Sequence, residues 1–154
     1  MKILLITLFL ITVNYANSQS IIGLWQEGSP EITDSYFNTY EFKVDGTFKF
    51  NTNGYYGLSR VVSLCGKYKV VRNEVEVTVE YTLEKVGGNI ERSSFAGTAT
   101  NLWVIEGGQI KKIMLDKPIK STIHFEFTKS KKADEAKTQM VLLDKYEFYK
   151  INPN

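Results

Sequence analysis

From Glu74 to Glu84 the chain alternates without a break, with Val75, Val77, Val79, Tyr81 and Leu83 on one parity and Glu74, Glu76, Thr78, Glu80, Thr82 and Glu84 on the other. A period of two sends successive side chains to opposite faces of a pleated strand, whereas a helix would scatter the valines around its axis. The segment is therefore a long strand with one dry and one wet face, and it needs neighbours that bury the same dry face. They are present. Tyr68 and Val70 precede Arg72-Asn73, where a two-residue loop pairs Val70 with Val75 inside and Val71 with Glu74 outside. Earlier, Tyr40, Phe42, Phe48 and Phe50 share a parity across Val44-Asp45-Gly46, opposed by Glu41, Lys43, Thr47 and Lys49. A two-residue Asp-Gly loop would set Phe42 against Lys49 and mix the faces. A three-residue loop sets Phe42 against Phe48, so this register is expected, closed by Gly46 in a left-handed conformation.

A third run, Ile119, Ser121, Ile123, Phe125 and Phe127, alternates with Lys120, Thr122, His124, Glu126 and Thr128. Gly87-Gly88-Asn89 and Gly107-Gly108 mark reversals on either side of a weaker strand ending near Leu102 to Ile105. Lys129 to Lys137 reads as a loop with at most one or two helical turns, and Met140–Leu143 and Tyr146–Ile151 as closing strands. Some eight to ten strands joined by short antiparallel turns, with no long helix, make an all-β fold. Meander connectivity favours an antiparallel up-and-down β-barrel over a sandwich, which mixes in longer crossovers. The aromatic share of 13% suits such half-buried surfaces, and a net charge of +2 is too mild to point to nucleic acid or an anionic membrane.

Residues 1–18 stand apart from this pattern. Lys2, the apolar run Ile3 to Val13 and the small residues Ala16 and Ser18 read as a signal peptide, leaving 19–154 as one domain. No cysteine follows the apolar run to carry a lipid, and no other stretch approaches the roughly 20 apolar residues of a spanning helix. The product is expected to be exported, periplasmic or secreted, without a stable membrane anchor. Cys65, the lone cysteine, reads as a small buried hydrophobe.

Ile21-Ile22-Gly23-Leu24-Trp25-Gln26 resembles the Gly-x-Trp element that opens the first strand of lipocalins and related calycins. The Tyr40 to Phe48 hairpin, and Gly66 to Val70 with the Asn73 turn, resemble those of short bacterial lipocalin-like secreted domains. The resemblance implies a barrel whose interior holds a small apolar or amphipathic molecule. It implies also that Gly23 lets the first strand bend and that Trp25 plugs that end, often beneath a late-strand arginine. Here Lys145 and Lys150 are the cations on offer.

Candidate ligand contacts are Trp25, Tyr40, Phe42, Phe48, Tyr68, Tyr81 and Phe125, all assigned to the inner parity or the plug, with Tyr55 and Tyr56 in a glycine-flanked loop. The same bulky residues could instead fill the core and leave a protein-interaction or structural module. No catalytic constellation is legible: His124 is the only histidine and carries wet parity. The row Glu74, Glu76, Glu80, Glu84 lies along one strand and reads as a charged outer face, so neither metal nor cofactor is expected. A small membrane-spanning barrel, with its apolar parity facing lipid, has the same alternation and stays open on pattern alone.

Overall fold

A computed structural model describes residues 20–28, 37–54, 56–93, 103–129 and 139–151. The segment read as a signal peptide, Tyr55, residues 130–137 of the expected loop and the Asn152-Pro153-Asn154 end lie outside the described residues. Among the described residues ten strands follow in order: β1 (Gly23–Glu27), β2 (Thr39–Phe42), β3 (Thr47–Asn51), β4 (Val61–Val71), β5 (Glu74–Val86), β6 (Asn89–Arg92), β7 (Trp103–Glu106), β8 (Gln109–Lys129), β9 (Gln139–Leu143) and β10 (Tyr146–Ile151). Eight of them pair antiparallel in the ring β1-β2-β3-β4-β5-β8-β9-β10, and β10 returns to β1. Among the described residues β6 and β7 pair only with each other.

Both hairpin registers follow the parity argument, but Val70, expected inside with Val75, is 46% exposed near the end of its strand. Phe42 stands opposite Phe48, the Lys43 N–H donates to the Thr47 carbonyl at 2.9 Å, and Gly46 has φ 80°. Val70 faces Val75 and Val71 faces Glu74 across a two-residue turn in which Arg72 has φ 59°. The dry parity forms the core: Trp25, Phe42, Phe48, Val75, Val77, Val79, Ile123, Val141, Leu143 and Phe148 cluster, with Tyr40, Phe50, Tyr68, Phe125 and Phe127 packed against them. The opposite parity carries Lys43–Glu41, Lys67–Glu80 and Lys69–Glu76 ion pairs. Such an outer face is the reverse of the apolar band that a membrane-spanning barrel turns to lipid.

One part of the pattern is broken by the structure. The β4–β5 register slips so that Gly66 pairs with Val79 but Cys65 with Tyr81, and the β5–β8 register slips at the same place. The bulge leaves Glu80 without a direct partner and inverts the parity beyond it. Thr82 turns inward opposite Leu64 and is buried, while Tyr81 shares the outer face with Cys65 and Met114. Gly66 permits this approach: a β-carbon there would lie 1.9 Å from the Thr78 carbonyl oxygen. On β8 the slip takes up Leu115 to Pro118, the place in a strand where a proline without an N–H is tolerated. Cys65 is buried, with a free thiol.

The ring is strongly staggered. From Ile123 on β8 the paired residues lead through Val75, Val70, Lys67, Thr47, Phe48, Phe42, Gly23, Leu24, Ile151, Tyr149 and Met140 back to Thr128. The path climbs seven positions and returns five residues further along β8, a stagger of about twelve. With strands ~4.8 Å apart and ~3.3 Å per residue, eight strands so staggered tilt by roughly 46° and enclose a ring of about 9 Å backbone radius. The filled eight-stranded barrel with a stagger of eight comes to about 7.6 Å by the same geometry.

The stagger also leaves Gln109 to His124 of β8 paired only with β5 among the described residues. The upper parts of β4, β5 and β8 thus rise past the ring as a wall. Gly87, Gly88, Gly107 and Gly108, all at positive φ, turn this ribbon into β6–β7, which lies on the 57–60 segment through Ile105 N–H to Gly57 O at 2.9 Å and buries Ile105.

Candidate functional site

The two ends of the ring differ. At the lower end Gly23 has φ 135°, and a β-carbon on it would lie 2.7 Å from Lys150 Cε. The missing side chain makes room for Lys150, whose Nζ lies 5.5 Å from the Trp25 ring centroid. Trp25 is fully buried, donates Nε1–H to the Ile21 carbonyl at 2.6 Å and packs on Phe127 at 6.0 Å between centroids. A tryptophan with its one donor satisfied and a cation over its face fills this end of the ring. Lys145, the other cation considered for this role, sits at the opposite end.

At the upper end a half-enclosed cavity of about 330 Å³ opens from the inner face. Its apolar wall is Tyr40, Phe50, Ile123, Leu143 and Phe148, with Tyr146 at the rim. Tyr40 organises this wall, 4.5 Å from Phe50 and 5.4 Å edge-on from Phe148. The polar rim is Glu27, Asn38 and Asp144. Glu27 arrives because it lies two residues after Trp25 on the same parity. Asp144 arrives because the β9–β10 turn holds it at φ 54°, a left-handed conformation that Asp tolerates. Asn38 Nδ2 donates to Glu27 Oε2, and Asn38 Oδ1 accepts the Asn53 N–H at 2.9 Å. Asp144 Oδ1 accepts the His124 N–H at 3.0 Å. Burial, then the charges of Asp144 and Glu27, push the Tyr40 phenol up to about 12, so it stays a neutral hydroxyl at ordinary pH.

Of the eight expected contacts that fall among the described residues, only Tyr40 lines this cavity. Trp25, Phe42 and Phe48 are buried in the plug and core. Tyr68 packs edge-on against Phe42 and donates its hydroxyl to the Lys43 carbonyl, bracing the first hairpin. Phe125 packs on Phe127 below the cavity. Tyr81 corrects the inner-parity expectation, since the bulge puts it outside with Lys112 Nζ 3.9 Å from its ring. Tyr56 is 75% exposed and not in the lining, and Tyr55 lies outside the described residues. Glu27, Asn38, Phe50, Ile123, Leu143, Asp144, Tyr146 and Phe148 went unnamed as contacts. The spacing of Leu143 and Tyr146 around two turn residues was the usable signal for Asp144.

A second depression of about 440 Å³ crosses β4, β5 and β8 beside Lys67, Lys69 and Lys120. Two of these lysines are paired in solvent, with Glu80 at 3.5 Å and Glu76 at 2.8 Å. Exposed pairs of this kind define no ligand. Comparison of the chain with protein-family models, curated proteins and solved structures finds no match.

Proposed function

We propose that the chain is an exported lipocalin-like binding protein, an up-and-down barrel that holds a small apolar or amphipathic molecule in the cavity at its upper end. The observation that carries the reading is the asymmetry of the ring. One end is filled by Trp25 beneath Lys150, with Gly23 making the space, and the depression of about 380 Å³ beside Gly23 and Lys150 has a lining that includes Glu41, Lys43 and Asn51. The other end keeps an aromatic-walled cavity of about 330 Å³, within the range of small-molecule sites. The arrangement at the filled end matches what the Gly-x-Trp resemblance implies, with lysine standing where the family often has arginine. The wide stagger supports it too, because a ring of this radius has more volume than its own side chains need fill.

Titration with an environment-sensitive apolar dye tests this. Saturable one-site binding is expected, and Ile123→Trp, folded by circular dichroism, should remove it. A native chain that binds no dye saturably, and that carries no small molecule when isolated from its own cells and extracted, would refute the proposal. The competing reading, a protein-interaction module, draws on the exposed Ile110, Met114 and Ile119 along the singly paired half of β8. Co-purifying protein without co-purifying ligand would favour it.

A further inference from the structure

We propose that the upper cavity selects a protonated organic amine, its apolar body among Tyr40, Phe50, Phe148 and Tyr146 and its ammonium group toward Glu27 and Asp144. The inference rests on the cavity being a ligand site and adds the ligand's charge.

Both carboxylates line the same apolar space. The ion pairs among the described residues involve neither of them. Each accepts a hydrogen bond from a neutral amide, at Glu27 from Asn38 and at Asp144 from the His124 backbone. An ionised carboxylate offers about four acceptor sites, so the bonds from the described residues take up only part of the capacity at this rim. Two negative charges beside aromatic walls repel a carboxylate or phosphate ligand and attract a cation, whose approach to ring faces is favourable as well. The rim already hosts one such contact, Lys145 Nζ at 5.3 Å from the Tyr146 ring centroid.

A metal ion is the poorer occupant. Hard cations take six or more oxygens, and among the described residues no group of three or more acidic, His or Cys side chains gathers here. The cation beside this rim is Lys145, which follows Asp144 in the turn, while the His124 ring faces the Asn73 amide at 3.2 Å. Lys145 forms no salt bridge with Asp144 among the described residues, so it leaves that carboxylate open to a ligand.

The test is calorimetric titration of the folded chain with three probes of one shape: phenethylamine, 2-phenylethanol and phenylacetate. The amine is expected to bind at least tenfold tighter than the alcohol, and phenylacetate weakest of the three. Glu27→Gln and, separately, Asp144→Asn should each bring the amine-to-alcohol ratio toward one. Glu41→Gln, on the outer face, should leave the ratio as it is. Alcohol or acid binding as tightly as the amine would overturn the inference while leaving the cavity a ligand site. So would dye binding with no response to any probe. Absence of both dye and probe binding would remove the ligand site itself.

Discussion

Replacing Trp25 separates a structural plug from a ligand wall. The side chain is fully buried, with its indole N–H on the Ile21 carbonyl, Phe127 on one side and Lys150 over the ring. Trp25→Ala removes that contact surface, leaves the carbonyl unpaired and opens a void at the narrow end of the ring, where strand pairing on both sides prevents collapse. Truncations of this kind cost about 3 to 5 kcal/mol, to which the cation over the ring adds at most ~1 kcal/mol. Domains are stable by about 5 to 15 kcal/mol, so the variant survives only in part or melts roughly 15 °C lower. Trp25→Phe keeps the ring contacts and loses the hydrogen bond, a cost of about 1 to 2 kcal/mol. Urea denaturation of the three proteins measures the differences. Dye titration of Trp25→Phe should match the unaltered chain, because the cavity lies at the other end. Normal stability in Trp25→Ala, or a selective loss of binding in Trp25→Phe, would refute the plug.

Gly66→Ala drives a β-carbon into the Thr78 carbonyl and to within 2.9 Å of the Glu80 nitrogen, so it should cost about 3 kcal/mol or more. Gly107→Ala meets nothing within 4 Å and should cost only the left-handed strain, about 1 kcal/mol; equal urea midpoints would disprove the bulge geometry. Tyr81→Ser, on the outer face, should change stability by about 1 kcal/mol or less while Val79→Ser costs about 2 to 3 kcal/mol, and reversal of that order would restore the unbroken alternation. The Tyr40 phenol, at about 12 when folded and 10 otherwise, keeps its proton longer in the native state. Its contribution is therefore fully present below about pH 10 and is lost as pH rises toward about 12, so Tyr40→Phe should flatten the fall in melting temperature over that interval. An unchanged slope would remove Tyr40 from its buried, anionic surroundings.

Local pattern was enough for the all-β class, both early hairpin registers and most of the core. The reason is short range: period-two alternation names the buried face, and loop length then admits only one register that keeps Phe42 on Phe48 or Val70 on Val75. Phe125 and Phe127 as inner residues followed from the same parity, whereas Cys65 was expected to be buried from its residue type alone and is buried on the outer parity.

Beyond Val79 that reasoning failed, because a bulge is invisible to a pattern that continues unbroken. Val77, Val79, Tyr81 and Leu83 alternate without interruption, yet close approach at Gly66 inserts Glu80 and turns Tyr81 outward. The cavity was out of reach for a second reason. Its position depends on the stagger of the ring, which is the accumulated register of every strand pair. That stagger brings Glu27 from β1, Asn38 from just before β2 and Asp144 from the last turn to one rim. The chain by itself determined which face is dry wherever the alternation meets no bulge, since that is a property of neighbouring residues. Closure of the ring decided which end is filled and which stays open, since that needs all eight registers at once.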